Sequence, residues 1–350
     1  MSVELLATWF DELVCPSCES RLRYEREVSL ACPSCQKSWP VSNGIPHFVS
    51  EFPYWGDIPQ DAMQAVNRQA VESWKGALLS SVDPEVMRAS EMILNLDRAN
   101  WCLLTELPQT SRVLDLGAGM GANSHALALR YREVVAVEPV VERVNFMQCR
   151  FKQEGLRNIQ VVRTSLWDLP FGSESFDLIS MNGVLERVAQ GRRGDPRHLQ
   201  QAALKKAAKL LRPGGVLYIG IDNRLSAGYF VGYPDPHSRM PWVTILPRAL
   251  AHLYARWRGD PEGYRNYLYS AWGYGRLLRQ SGFRSVECYL ALPSYNNPRF
   301  YLPLKDNVFS YFMRNFANEG TGLRGFAREC LSRLGILKHM QYSFALLATK

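Results

Sequence analysis

The stretch Arg-Val-Leu-Asp-Leu-Gly-Ala-Gly-Met-Gly, residues 112–121, constrains the fold of this chain more than any other. Its first apolar residues predict the end of a buried strand, and residues 122–130 predict the helix that follows. The glycines between them, Gly117, Gly119 and Gly121, allow positive φ and let a ligand approach the backbone without a Cβ in the way. Because a helix N-terminus favours polar and anionic groups, the stretch predicts an α/β fold with a ligand at this turn.

Two acidic residues and the glycine spacing distinguish this turn from the glycine-rich turn of dinucleotide enzymes. Asp115 lies two residues before the first glycine, where a nicotinamide-binding strand usually has an apolar residue, and the glycine spacing is G-x-G-x-G. A second predicted strand, residues 134–137, ends in Glu138, whose carboxylate can accept hydrogen bonds from both hydroxyls of a ribose. The alternative is a turn that only packs a strand against a helix, and the positions of the two acids favour the ligand site.

With these residues in place, the chain resembles the class I S-adenosylmethionine (SAM)-dependent methyltransferases with a type 11-like core. In that family the turn wraps the methionine part of SAM and the acid after the second strand holds the ribose. An acid after the third strand bonds the adenine amino group beside an apolar side chain; a loop cap is the alternative role for that acid here. The resemblance implies a cofactor site built from Asp115, Gly117, Ala118, Gly119, Gly121, Glu138, Leu166, Trp167, Asp168 and Asn182.

The resemblance implies an α/β fold over residues 85–350: a Rossmann-like seven-stranded methyltransferase sheet with helices on both faces. Later strands are expected over residues 175–181 and 216–221, and a terminal antiparallel hairpin over residues 285–290 and 341–349. This arrangement places the ligand crevice outside the carboxyl ends of the parallel strands.

Three segments lie outside the minimal sheet. Residues 51–84 are interpreted as a linker and helical lead-in, and periodicity predicts helices over residues 61–75 and 84–106. Two insertions are expected at about residues 223–270 and 293–340, of which the second is predicted to be helical.

Two C-x2-C pairs, Cys15 with Cys18 and Cys32 with Cys35, are separated by thirteen residues. Four thiolates at this spacing can close a tetrahedron around Zn²⁺. So short a segment buries too small a core to fold on apolar contacts alone, and the metal would replace that core. Disulfides are the alternative, which the paired spacing and the lack of a secretory signal argue against.

The Gly-Ile-Pro segment that follows the last cysteine strengthens this interpretation. Residues 13–50 resemble the four-cysteine zinc ribbon of the tRNA-methyltransferase-activator type, and a ribbon domain is expected over residues 1–50. A closed four-cysteine site has no open position for catalysis, so the zinc is expected to be structural.

Candidate acid–base residues lie in the first insertion and at the tip of the strand before it. The insertion is dense in aromatic and basic residues and is interpreted as a substrate cap. His237 and Asp235 belong to its Pro-Asp-Pro-His-Ser-Arg turn, and Asp222 ends the preceding strand. Histidine titrates near neutral pH, so His237 or Asp222 is the expected base for a hydroxyl acceptor; a loop held by its own hydrogen bonds is the alternative. Many family members have Glu-His after the fourth strand, where this chain has Glu186-Arg187.

Charge is distributed unevenly along the chain. Residues 191–350 hold 24 Lys and Arg against 9 Asp and Glu, a net charge of +15, whereas residues 1–190 carry −7. The basic half fits phosphate, nucleic acid or an anionic membrane surface, or it is a solvated face with no dedicated partner. Residues 250–258 fit an amphipathic helix that contacts a membrane peripherally, with a packed cap helix as the alternative.

The sequence favours a SAM-dependent methyltransferase that methylates a small or lipid-linked metabolite or glycan, with O-methylation expected. One alternative is an RNA base methyltransferase, acting on rRNA or tRNA, that uses the ribbon and the basic half. The other is a non-catalytic protein that binds a partner through the ribbon. No apolar run reaches the length of a membrane span, and residues 1–13 lack the basic region of a signal peptide, so a cytoplasmic location is expected.

Overall fold

The computed structural model describes residues 9–316, 330–331 and 334–350. The start of the N-terminal stretch and part of the second predicted insertion therefore lie outside the described residues.

The chain divides into two compact units, each assembled from two pieces of the sequence. The first unit comprises Met1–Ser180 and Lys209–Val216, and the second comprises Met181–Ala208 and Leu217–Lys350. This division does not test the sequence-based boundaries near residues 50 and 84, which stay predictions.

The strands follow the predicted alternation with helices. The ribbon strands are β1 (Arg23–Glu25), β2 (Ser29–Ala31), β3 (Ser38–Ser42) and β4 (Ile45–Pro46). The later strands are β5 (Arg112–Leu116), β6 (Glu133–Val137), β7 (Ile159–Val162), β8 (Phe176–Asn182), β9 (Leu211–Asp222), β10 (Ser285–Ser294), β11 (Asn297–Pro303) and β12 (Ser343–Thr349).

Helices of one to four turns connect these strands. Those before β7 are α1 (Gln60–Ala70), α2 (Trp74–Leu79), α3 (Pro84–Leu94), a 3₁₀ helix (Leu96–Leu104), α4 (Ala122–Arg130) and α5 (Val141–Gln153). The later ones are 3₁₀ turns at Leu185–Arg187 and Leu337–Met340, α6 (Pro196–Leu210), α7 (Ala227–Phe230), α8 (Arg248–Trp257), α9 (Ala271–Gln280) and α10 (Asp306–Asn315). Among the described helices, none combines the length and the apolar character needed to cross a bilayer.

The core of the first unit is a parallel sheet, as the sequence predicted. β5 lies between β6 and β8, and β6 also pairs with β7, all in parallel. The sequences of β5 and β6 are nearly continuous Val, Leu and Ala, and they are buried on both faces. Such two-sided burial is typical of parallel strands whose faces are covered by crossover helices. The strands β5, β6 and β7 therefore end at the same edge of the sheet. The turns that carry the predicted cofactor-binding residues begin at this edge.

The lead-in helices are held by caps and by a shared apolar core. Asp83 caps α3 by accepting the backbone N–H groups of Glu85 and Val86, and Pro84 occupies the first turn of the helix. Trp74 is buried in the cluster that these helices form with α5, and Trp101 of the 3₁₀ helix is fully buried. Both tryptophans are therefore core residues.

The second unit contains the predicted terminal hairpin and one strand that was not predicted. β10 pairs antiparallel with β12, which confirms the hairpin. β11 also pairs antiparallel with β10, in a segment expected to be helical, so that expectation was wrong for residues 297–303. The reason is local: Leu302 and Tyr301 lie opposite Leu290 and Ala291, and cross-strand pairs of this kind stabilise a sheet edge.

Candidate functional site

The glycine turn is fixed to the neighbouring strand by its own backbone. The N–H groups of Gly117 and Ala118 both donate to the carbonyl of Val137 at 2.9 Å. Gly119 has a φ of +59°, and a Cβ placed there would meet no atom within 4 Å, so that side of the residue faces open space. At Gly121 a Cβ would lie 2.7 Å from the Phe151 ring, so only glycine lets α4 start against α5. The turn is thus a rigid cradle with an open centre.

Asp115 is buried beneath this cradle. Its Oδ2 accepts a 2.6 Å hydrogen bond from Ser124 Oγ on α4, which ties the end of β5 to the helix after the turn. Burial raises the pKa of Asp115 to about 6, although the hydrogen bond from Ser124 opposes the shift. Keeping this carboxylate ionised therefore costs free energy in the ligand-free protein. Carboxylates perturbed in this way are typical of functional positions.

The pH dependence of stability should carry the signature of Asp115. A carboxyl whose pKa is higher in the folded chain stabilises the fold at low pH, and this contribution is lost as pH rises from about 4 to about 6. Relative to Asp115→Asn, we expect the free energy of unfolding of the ligand-free wild type to fall by about 3 kcal/mol across that window. Urea titrations at a series of pH values measure the difference; parallel pH curves for the two proteins would contradict it.

Glu138 lies at the tip of β6, beside the cradle. Its Oε2 accepts the N–H of Gly119 at 2.9 Å, and its Oε1 accepts the N–H of Val140 at 3.1 Å. Arg143 Nη1 lies 3.8 Å from Oε1. Burial raises the pKa of Glu138, against the opposing charge of Arg143. The carboxylate is thereby held at the strand end, beside the open centre of the turn.

The loop after β7 carries the third predicted acid. Ser165 Oγ donates to Asp168 Oδ2 at 2.7 Å, and Thr164 Oγ1 donates to the Asp168 carbonyl at 2.9 Å. Leu166 and Trp167 are half-buried beside it. These contacts resemble those of a loop cap, the alternative role, and the adenine-binding role of this loop stays a prediction. Asn182 belongs to the second unit, where its Oδ1 accepts the hydroxyl of Tyr218 at 3.0 Å.

Arg150 is a residue of this site that the sequence did not single out. Its fully buried guanidinium donates to the carbonyls of Met120, inside the glycine turn, and of Ile93, at the end of α3. It also lies over the ring of Trp74, 4.2 Å from the centroid. The pKa of Arg150 falls to about 9 because of burial. Nothing in the sequence indicated this buried role, because an arginine on a helix such as α5 is usually solvated.

The four ribbon cysteines converge as their spacing predicted. Cys15 Sγ lies 3.5 Å from Cys35 Sγ, Cys18 Sγ lies 3.4 Å from Cys32 Sγ, and all four sulfurs lie within 4.8 Å of one another. Disulfide sulfurs would be about 2.05 Å apart. Zinc bound tetrahedrally at about 2.3 Å from each sulfur gives sulfur–sulfur edges of roughly 3.8 Å, so the cluster fits this metal.

The two knuckles share one backbone geometry. In each, a residue at φ near +60° follows the second cysteine: Glu19 at 61° and Gln36 at 60°. The N–H groups of Ser17 and Cys35 each point at a sulfur of their own knuckle, at 3.4 Å. Such N–H···S contacts favour the thiolate form that a metal needs.

A second buried polar cluster lies in the second unit. His237 Nε2 is 3.4 Å from Glu186 Oε1 and 3.6 Å from Asp222 Oδ2, and the His237 side chain is 3% exposed. Both carboxyl oxygens of Glu186, Oδ1 of Asp222, both ring nitrogens of His237 and the hydroxyl of Tyr229 are buried without a hydrogen-bond partner among the described residues. The ion-pair contacts with His237 offset only part of the cost of burying polar atoms that lack hydrogen bonds, and such clusters are typical of functional positions.

This cluster supplies an imidazole that the segment after β8 lacks. Sequence reasoning noted Glu186-Arg187 as a departure from Glu-His and did not connect it with His237, 50 residues later. Burial raises the pKa of Glu186 and of Asp222, while the charge of His237 opposes both shifts. Burial lowers the pKa of His237, but the Asp222 and Glu186 carboxylates outweigh it and the net shift is upward. The three groups can therefore share a proton and pass it on.

Asp235 braces the turn that carries His237. Its Oδ1 accepts the backbone N–H of His237 at 3.2 Å, and its Oδ2 accepts the hydroxyl of Ser238 at 2.8 Å. The backbone closes the turn through Asp235 N–H to the Met240 carbonyl and Arg239 N–H to the Asp235 carbonyl. These are the contacts of a turn held by its own hydrogen bonds; a proton-transfer role for Asp235 stays a prediction.

Comparison with known proteins assigns the central part of the chain. Residues 114–219 match the family described as a methyltransferase domain. A demethylmenaquinone methyltransferase of Clavibacter sepedonicus is 32% identical over 182 residues, which cover 50% of this chain and 66% of that protein. A ubiquinone biosynthesis O-methyltransferase of Xylella fastidiosa (strain M23) is 32% identical over 124 residues, or 35% and 46% of the two chains.

Solved structures to which this chain is similar include a SAM-dependent methyltransferase, possibly a histamine N-methyltransferase, from Thermotoga maritima. It has 20% sequence identity and a TM-score of 0.42, and the match covers 76% of this chain and 95% of that one. The two curated relatives named above are matched over only part of their length. This chain spans about two thirds of the first and about half of the second.

Proposed function

We propose that this protein is a SAM-dependent methyltransferase that transfers a methyl group to a hydroxyl of a small or lipid-linked metabolite. The observation that carries the proposal is the buried His237 with its two carboxylate neighbours. Glu186 lies within the residues that match a methyltransferase domain, and Asp222 and His237 follow them. A hydroxyl is a poor nucleophile until its proton is removed, so an O-methyltransferase needs a base of this kind.

The glycine cradle and the acids around it would hold SAM. The open space beside Gly119 would accommodate the methionine part, and the buried Asp115 would support the turn from the end of β5. Glu138 would exchange its bond to the Gly119 N–H for the ribose hydroxyls, and Asp168 would bond the adenine amino group. Leu166 and Trp167 would flank the ring, and Asn182 would complete the set. When bound, SAM supplies an electrophilic methyl group on a positively charged sulfur.

His237 would act as the general base. Its Nε2 would take the proton of the acceptor hydroxyl, and the acceptor oxygen would receive the methyl group that bound SAM supplies, with S-adenosylhomocysteine as the other product. Glu186 and Asp222 then stabilise the imidazolium that forms, 3.4 and 3.6 Å away. Asp235 keeps the imidazole in place through its hydrogen bonds within the turn.

The surroundings of this base support a small acceptor. Buried tyrosines of the second unit, Tyr229, Tyr274 and Tyr295, interact electrostatically with Asp222, and tyrosine combines an apolar ring with a polar tip. Two relatives are named for demethylmenaquinone and for O-methylation in ubiquinone biosynthesis, which supports a small acceptor with a hydroxyl group.

Several arginines of the basic half are engaged inside the second unit, which weakens the case for RNA. Arg224 donates to the carbonyls of Thr244 and Leu246. Arg265 donates to the carbonyls of Ala189, Arg192 and Gly194. These guanidinium groups tie loops together and are not free to contact phosphates, so we prefer the small-molecule acceptor.

We also propose a structural Zn²⁺ bound by Cys15, Cys18, Cys32 and Cys35. The sulfur positions fit a tetrahedral site. Because protein ligands would fill all four coordination positions of the metal, none would be left for substrate or water.

Calorimetric titration with SAM tests the cofactor site. We expect the wild type to bind SAM, Glu138→Gln to bind about tenfold more weakly, and Glu138→Ala about 100-fold more weakly. The reason is that two charge-assisted hydrogen bonds to the ribose are weakened in the first variant and lost in the second.

Glu133→Gln, at the other end of the same strand, is the matched control and should bind SAM like the wild type, because its carboxylate pairs with Arg112. Equal affinity of wild type and Glu138→Ala would refute the assignment of Glu138. No binding of SAM or S-adenosylhomocysteine by the folded wild type would refute the proposed function itself.

A further inference from the structure

Helix α8, in the second unit, has one face packed and one face exposed. Ala251 and Ala255 are fully buried in a cluster with Met240, Val243 and two tyrosines of the same unit. On the other side, Leu250, Leu253 and Trp257 are 52%, 62% and 78% exposed. The two alternatives predicted for this segment, a packed cap helix and an amphipathic surface helix, therefore both describe α8, each on one of its faces.

The exposed side chains form a single stripe bordered by positive charge. At 3.6 residues per turn, positions 250, 253 and 257 fall on one side of the helix. Arg256 and Arg258, both exposed, fall on either side of that stripe. Arginine at the edges of an apolar stripe can extend its guanidinium towards lipid headgroups while its stem stays against the apolar surface.

The segment that contains the stripe has basic residues but no acidic ones. Residues 236–259 contain four arginines and no aspartate or glutamate. The same insertion exposes more apolar side chains than a solvated surface needs, including Phe230, Val231, Tyr233 and Trp242. Apolar side chains bordered by cations are complementary to an anionic lipid surface.

We propose that the outer face of α8 docks the protein on an anionic membrane surface. Leu250, Leu253 and Trp257 enter the interface between headgroups and acyl chains, and Arg256 and Arg258 pair with lipid phosphates. This docking goes beyond the proposed methyl transfer and does not depend on it. It would bring the second unit, which holds His237, to the surface where a lipid-linked acceptor resides.

Sedimentation with sucrose-loaded vesicles tests the docking, using the full-length protein without SAM or acceptor. We expect the wild type to sediment with phosphatidylcholine vesicles containing about one third phosphatidylglycerol, and much less with phosphatidylcholine alone. Leu253→Glu should lower the partition coefficient about tenfold or more, because it places a charge in the apolar stripe. Arg256→Gln with Arg258→Gln should lower it about fivefold for each charge removed.

The matched control is Leu129→Glu, on α4 of the first unit, where the leucine is 64% exposed and lies outside the proposed surface. It should sediment like the wild type, and unchanged circular dichroism of each variant excludes unfolding as the cause. The proposal is overturned if the wild type stays in the supernatant, or if Leu253→Glu and Leu129→Glu behave alike. A wild-type dimer that Leu253→Glu dissociates, without vesicle binding, would instead assign the face to a second copy of the chain.

Discussion

Replacing Cys32 by serine is expected to release the metal, unfold the ribbon and weaken SAM binding in the same protein. The binding free energy of a structural zinc, on the order of 10 kcal/mol or more, is available to fold the residues around it. The ribbon strands are two to five residues long, so little else holds the two knuckles together. Elemental analysis should show about one zinc per wild-type chain and nearly none in the variant.

The effect on SAM follows from the backbone contacts of the ribbon within the first unit. The N–H of Phe48 donates to the carbonyl of Arg163, and the N–H of Arg163 donates to the carbonyl of Pro46. At the other end of the same loop, the N–H of Val14 donates to the carbonyl of Pro170. The ribbon therefore holds both ends of the loop that carries Asp168, and an unfolded ribbon releases that loop.

We expect the SAM affinity of Cys32→Ser to fall about tenfold, measured by the same calorimetric titration. Cys149→Ser is the control, since this half-buried thiol lies outside the cluster and should affect neither zinc content nor SAM binding. Full zinc content in Cys32→Ser would refute the metal site. Loss of zinc with unchanged SAM affinity would show that the ribbon does not hold the adenine loop.

The cofactor cradle was predictable from the sequence because its determinants are local. Strand, turn and helix follow one another within residues 112–130, and a glycine at positive φ cannot be replaced without strain. The four cysteines were predictable for the same reason, since each pair sits on one tight turn. Periodicity also predicted helices in the lead-in, although the structure divides each predicted helix in two: Gln60–Ala70 and Trp74–Leu79, then Pro84–Leu94 and the 3₁₀ helix Leu96–Leu104. The terminal hairpin was predicted from the family resemblance.

The acid–base cluster could be predicted only in part, because it depends on contacts far apart in sequence. His237 and Asp222 were candidates for their chemistry alone, and nothing in the sequence placed Glu186 beside them. Arg150 was missed because burial of a cation depends on the carbonyls that surround it. β11 was missed because a short strand at a sheet edge is stabilised by its neighbour, here β10, and not by its own pattern.

Replacing His237 by glutamine is expected to lower the rate of methyl transfer by about 10²–10⁴-fold while leaving SAM affinity unchanged. Glutamine keeps a hydrogen-bonding group of similar size but cannot accept the acceptor's proton. Apart from Asn182, the residues proposed to bind SAM belong to the first unit, whereas His237 belongs to the second. Its removal should therefore reduce kcat and not the calorimetric Kd. The rate is measured as tritiated methyl transferred from SAM into a lipid and quinol extract.

The pH profile separates a base from a merely structural histidine. The pKa of His237 is raised above its ordinary value, and only the neutral imidazole accepts a proton, so wild-type kcat should increase as pH rises through neutrality and then level off. The residual activity of His237→Gln should lack this increase, because the titrating group is gone. His198→Gln, an exposed histidine on α6 of the same unit, should retain both the rate and the profile of the wild type. A His237→Gln enzyme that keeps the wild-type rate, or keeps the same pH profile at a lower rate, would mean that the acceptor loses its proton to another group.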